Sequence, residues 1–102
     1  MKTEYSIYMD FQKAKEQAEE LATLASDLRN VRDKDLTDCL SRISASWQGD
    51  NATAYIQKGS KVKNKISNVA KSLDEAASTI KTIAKQTYDA EMEALRLAQL
   101  AD

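Results

Sequence analysis

Side chains able to do chemistry are scarce in this chain. It holds one thiol, Cys39, and no histidine among its 102 residues. A serine or cysteine nucleophile needs a base to take its proton, and imidazole is the usual one. Cys39 lies beside seam residue Leu40 and reads as a small buried hydrophobe rather than a reactive thiol. A lone cysteine forms no intrachain disulfide and, without histidine, no Cys/His metal site. The carboxylates are scattered along the chain and no glycine-rich phosphate loop occurs. The expectation is therefore a protein that is not an enzyme and takes no cofactor or metal. The densest charge feature is a set of five lysines, Lys58, Lys61, Lys63, Lys65 and Lys71, with no acid in residues 51–73. Such a stripe can bind phosphates. A net charge of −1 and the lack of interleaved stacking aromatics argue against nucleic acid.

The elements that must hold these residues are helices. Proline is absent, glycine occurs twice, and charged residues make up 30% of the chain, a composition too poor in turn formers for a sandwich or barrel. Near the midpoint stands Trp47-Gln48-Gly49. Glycine ends a helix cheaply because it reaches positive φ. Tryptophan offers a large apolar face where two helix ends meet, and its indole N–H can donate to an exposed carbonyl. Asp50 or Asn51 is then placed to cap the following helix. The predicted plan is one domain with a helix over 7–45, a turn at 46–50, a helix over 51–98 and a flexible tail at 99–102.

Both helices carry apolar seams. Phe11, Ala14, Ala18, Leu21, Ala25 and Leu28 keep 3-4 spacing, and the phase then slips to Leu36, Leu40, Ile43 and Trp47. This spacing predicts one long helix with a locally altered stripe, or a break within Asn30–Asp35. In the second helix Tyr55, Gly59, Val62, Ile66, Val69, Leu73, Ala76, Ile80, Ile83 and Thr87 continue the alternation. A hairpin folded at 47–49 sets residue i beside residue ~96−i on the helix geometry. That register places Lys58, Lys61 and Lys63 beside Asp38, Asp35 and Asp33, which reads the lysines as partners in interhelical charge pairs. Leu24, Val31, Ile56, Ala70, Ala77, Ala84 and Tyr88 widen the stripe beyond what one partner helix covers. The predicted fold is all-α: an antiparallel two-helix hairpin that dimerises into a four-helix bundle. Its seam residues Leu21, Leu28, Val62, Ile66, Val69, Leu73 and Ile80 are then core.

The length, the two proline-free helices and the central Trp47-Gln48-Gly49 resemble the W-x-G helical-hairpin proteins of the early-secreted-antigenic-target type. The resemblance spans essentially the whole chain. It implies a non-enzymatic protein exported by a type VII secretion system of Gram-positive bacteria or mycobacteria, as substrate or as targeting partner for a larger effector. It also implies an antiparallel homodimer or heterodimer, with another helical hairpin or with a larger secreted effector, and contact with the secretion ATPase. Trp47 and Gly49 correspond to the family's turn motif. The family's export signal is a tyrosine followed four residues later by an acid, whereas Tyr88 is followed there by Met92. Glu91, three residues on, lies on a neighbouring face, so that Tyr88 and Glu91 could form a variant of that signal; the other reading is that Tyr88 packs at the seam edge while the acids solvate the last turns, and the departure points to a partner chain as carrier of the signal.

The first residues reach Asp10 without an apolar core segment, so a cleavable signal peptide is not expected. No apolar run approaches the ~18 residues of a membrane span. Secretion without a signal peptide, from a cytoplasmic start, is the localisation these features and the resemblance suggest. The other readings are a membrane-active amphipathic hairpin, for which neither helix has the aromatic-rich face of an interface binder, and a generic coiled-coil scaffold.

Overall fold

The computed structural model describes residues 2–47 and 49–101 and is helical almost throughout, with no strand among them. Helix α1 spans Glu4–Asn30, a π-helical turn follows over Val31–Leu36, and α2 spans Thr37–Ser46. Helix α3 runs from Asp50 to Ala101. The fold is an all-α helical hairpin. Two helix limits differ from the expected ones: helix begins at Glu4 rather than residue 7, and residues 99–101, expected as a tail, are its last turn.

The phase slip has a structural cause. Continuing 3-4 spacing from Leu28 and Arg32 would bring Asp35, Cys39 and Arg42 inward. The apolar residues come one position later, at Leu36, Leu40 and Ile43. A π turn closes i→i+5 rather than i→i+4 bonds and so absorbs one surplus residue. Asn30, Leu36 and Thr37 keep right-handed helical angles, so the backbone continues without a break. The Thr37 hydroxyl donates to the Arg32 carbonyl at 2.9 Å within this turn.

The turn between α2 and α3 follows from two backbone states. Trp47 is extended (φ −110°, ψ 144°), and its N–H donates to the Ile43 carbonyl at 2.8 Å. Gly49 takes φ +97°, a value costly for any residue with a Cβ. The Gly49 carbonyl accepts from the Thr53 N–H at 3.2 Å, so the cap position falls on Gly49. Asp50, expected as a cap, is instead the first helical residue, where its carboxylate meets the positive end of the helix dipole. Gln48, the middle of the tripeptide, lies outside the described residues.

Two compact units make up the chain. The turn unit, Thr23–Asp74, holds the end of α1, the π turn, α2 and the first half of α3. The terminal unit combines Met1–Ala22 with Glu75–Asp102. In both, the buried positions are mostly alanine: Ala25, Ala52 and Ala70 in the first, and Ala18, Ala77 and Ala84 with Ile7 in the second. Alanine lets two helix backbones approach closely but removes little apolar surface from water. No large side chain is fully buried among the described residues.

The register differs from the expected one. Phe11–Tyr88 in the terminal unit, and Arg32–Ser67 and Leu40–Gly59 in the turn unit, each have residue numbers adding to 99, not 96. A Cβ at Gly59 would overlap the end of the Leu40 side chain, which would have to move to admit it.

Candidate interaction surfaces

The turn unit exposes an aromatic pair at its tip. Trp47 and Tyr55 meet edge to face, with ring centroids 5.5 Å apart and an interplanar angle of 84°. Trp47 is 50% exposed and Tyr55 54%, so their faces stay open to a partner. Trp47 also closes one end of an open groove of about 410 Å³ along α2, which Asp35, Asp38, Cys39 and Arg42 help to line; Cys39, expected to be buried beside Leu40, is exposed there, because the seam runs through Leu36, Leu40 and Ile43 and leaves residue 39 on the other face.

Helix α3 presents two apolar rows, not one. Ala52, Ile56, Gly59, Lys63, Ile66, Ala70 and Leu73 are buried or half-buried in the turn unit, and Ala77, Ile80 and Ala84 continue this pattern in the terminal unit. The expected seam shares Gly59, Ile66, Leu73 and Ile80 with that row. Its other members lie on the outer side: Tyr55, Val62, Val69, Ala76 and Ile83 are exposed. The inward partners of the shared positions are the small residues first placed at the flank. Of the seven predicted core residues, Leu21, Leu28, Ile66, Leu73 and Ile80 are half-buried in the hairpin, while Val62 (46%) and Val69 (51%) face solvent.

The outer row is regular. Tyr55, Val62, Val69, Ala76, Ile83, Ala90 and Leu97 recur every seven residues, and every one is exposed. In the turn unit α1 adds to this face. Arg29 bonds Asp74 at 2.6 Å, marking one edge of the helix pair. Arg29 follows buried Ala25 by four residues and Asp74 follows buried Ala70 by four; Leu24 and Val69 precede the same alanines by one. By helix geometry Leu24 and Val69 therefore lie on the edge opposite the ion pair. Leu24 and Val31, 50% and 44% exposed, widen the apolar face there.

Charges arrange themselves differently from the expected pairs. Among the described residues, Lys58 and Lys61 form no ion pair with Asp38 or Asp35, because nearness along the axis does not put side chains on one face. Asp35 and Asp38 line the α2 groove instead. Arg32 takes Asp33 at 2.6 Å and holds its carboxyl below the ordinary carboxylate value, while Lys63 adds a weaker electrostatic pull in the same direction. Of the three expected pairs, Lys63–Asp33 is thus present as an electrostatic pull on the Asp33 carboxyl, without an ion pair among the described residues.

Tyr88 and Glu91 are both engaged in the terminal unit. The Tyr88 ring packs against Phe11 with centroids 5.1 Å apart, and the Lys85 ammonium lies 6.0 Å from its centroid. Glu91 accepts from Lys2 at 3.0 Å, and this bond, with a second to Asp10, raises the Lys2 pKa. Asp89 and Glu93 are the exposed acids of this segment, bonded to Lys85 and Arg96. The expected register set Phe11 opposite residue 85 and left Tyr88 at the flank of the seam, so the Phe11–Tyr88 contact follows from the observed register rather than the expected one.

Among the described residues no group of acids and Cys39 is arranged to hold a metal ion, and no helix is long and apolar enough to cross a membrane. No family model, curated protein or solved structure matches this chain.

Proposed function

We propose that this chain is a small non-enzymatic hairpin exported by a type VII secretion system, or targeting a partner to one, through protein–protein contact. The observation that carries the reading is the half-exposed Trp47–Tyr55 pair, held at a glycine-dependent turn between two heptad-patterned helices. An exposed aromatic pair at a turn is a ready anchor for a partner surface. The exposed row on α3 supports a partner helix as well, because apolar positions at heptad spacing are what a second helix covers. A second hairpin, from another copy, a related chain or a larger effector, would complete a four-helix bundle. The secretion ATPase is the machine that would read the assembled signal.

Tyr88 and Glu91 are held by Phe11 and Lys2, which favours a partner tail as carrier of the export signal. In that arrangement Trp47 and Gly49 of this chain contribute the turn half of a composite surface. The test is the partition of the chain between cells and medium in a bacterium with a type VII system. Trp47→Ala is expected to abolish the medium fraction while leaving the partner complex intact, and removing residues 90–102 is expected to change little. Equal amounts in the medium with and without a functional secretion ATPase would overturn the reading. Loss of export on removing this chain's own tail would instead make the Tyr88 segment a working signal.

A further inference from the structure

We infer that the terminal unit binds a small aromatic acid, its ring against Phe11 and its carboxylate between the ammonium groups of Lys15 and Lys81. This is independent of the export reading, which rests on the turn and on the outer row of α3. Phe11, Lys15, Lys81 and Ala84 line a niche of about 190 Å³ within this unit, and the surface they turn towards it is almost wholly apolar. Both lysines are exposed, so their stems form walls while their charged ends stay in water at the mouth.

The niche follows from the register. The Phe11–Tyr88 contact sets Lys15 level with Ala84 and Lys81 level with Ala18. Each lysine precedes a buried alanine of its own helix by three residues, Ala18 and Ala84. On two antiparallel helices that offset brings both lysines to the same edge of the pair. An alanine methyl is too short to fill the space there, so a gap remains over Ala84 beside the Phe11 ring. Tyr88 holds that ring, with centroids 5.1 Å apart.

The charge at the mouth is unmatched. The terminal unit carries six Lys and Arg against ten Asp and Glu, so acids are plentiful. Lys2, Lys85 and Arg96 each bond one of them. Among the described residues Lys15 and Lys81 have no ion-pair partner, and no acid lines the niche. Two ammonium groups brought to one gap repel each other, and an anion seated between them replaces that repulsion by two attractions. Apolar walls below a cationic mouth favour an amphipathic acid over a simple anion. The volume lies below the ~300–1,000 Å³ of sites for drug-sized ligands, which limits the apolar body to about one ring. An aromatic ring gains most against Phe11, through offset or edge-to-face contact.

Titration of the whole chain with phenylacetate, followed by the backbone amide signals in NMR, tests this. The expected result is a saturable shift centred on Phe11, Lys15, Lys81 and Ala84, with a dissociation constant on the order of 1 mM for so small a ligand. Phenylacetamide keeps the ring without the charge, and acetate keeps the charge without the ring. Each is expected to bind about tenfold more weakly or not at all. Lys15→Gln and Lys81→Gln are each expected to weaken phenylacetate about fivefold. Lys13→Gln makes the same charge change at an exposed position outside the niche and is expected to leave binding unchanged. All three substitutions are exposed, and circular dichroism checks that the variants stay helical. The comparison of phenylacetate with phenylacetamide needs no variant. Shifts that do not saturate by about 50 mM, far above the expected constant, would overturn the proposal. So would phenylacetamide binding as tightly as phenylacetate, or Lys13→Gln weakening it as much as the two niche variants.

Discussion

At the scale of single residues, two glycines do different work. Gly49 is required by its positive φ, since nothing stands near enough to exclude a Cβ. Gly59 lies inside a helix, where the Leu40 side chain opposite occupies the space a Cβ would take. Gly59→Ala gains about 1 kcal/mol of helix propensity and meets an overpacking cost of about 1–3 kcal/mol. The expected net is a loss of about 1 kcal/mol, read by chemical denaturation. In a Leu40→Ala background the same substitution is expected to be neutral or stabilising, because the obstruction is gone. An equal loss in both backgrounds would mean that Leu40 does not set the requirement. Tyr88 and Glu91 illustrate a different point. Both were legible as a possible signal, but their engagement with Phe11 and Lys2 depends on which residues the opposite helix brings to that level.

At the scale of elements, helix existence, the turn and the seam of α1 were legible because heptad spacing and Trp47-Gly49 are local signals. Choosing the inward row of α3 was not. Gly59, Ile66, Leu73 and Ile80 can pair equally well with the valine and isoleucine row on one side or the alanine row on the other. Ranking by hydrophobicity selects the first; close backbone approach selects the second, since only small residues fit between the helices. The slip after Leu28 was legible as a change of phase, though its form, a π turn absorbing one surplus residue, depends on backbone hydrogen bonding. That account predicts an unusual tolerance. Deleting the exposed Lys34 removes the surplus residue and is expected to leave helicity and stability within about 1 kcal/mol of the parent. Deleting Glu20 rotates the rest of the helix by ~100° against its partner and is expected to unfold the hairpin. Circular dichroism and thermal melting distinguish the two. If the Lys34 deletion is as damaging as the Glu20 deletion, the surplus-residue account is wrong.

At the scale of the whole molecule, the hairpin buries alanines and exposes valine, isoleucine and tyrosine along α3. Buried alanines contribute little hydrophobic stabilisation, and the conformational entropy of ordering the chain must be offset mainly by apolar burial. A second layer over the outer row supplies what the hairpin lacks, so folding and association should be one process. The concentration dependence of thermal unfolding reports this directly. If the account holds, diluting the chain a hundredfold lowers Tm by roughly 5–10 °C, as mass action requires when unfolding releases a partner. A Tm that stays constant across that range, in a chain that remains helical and monomeric by mass, would contradict it.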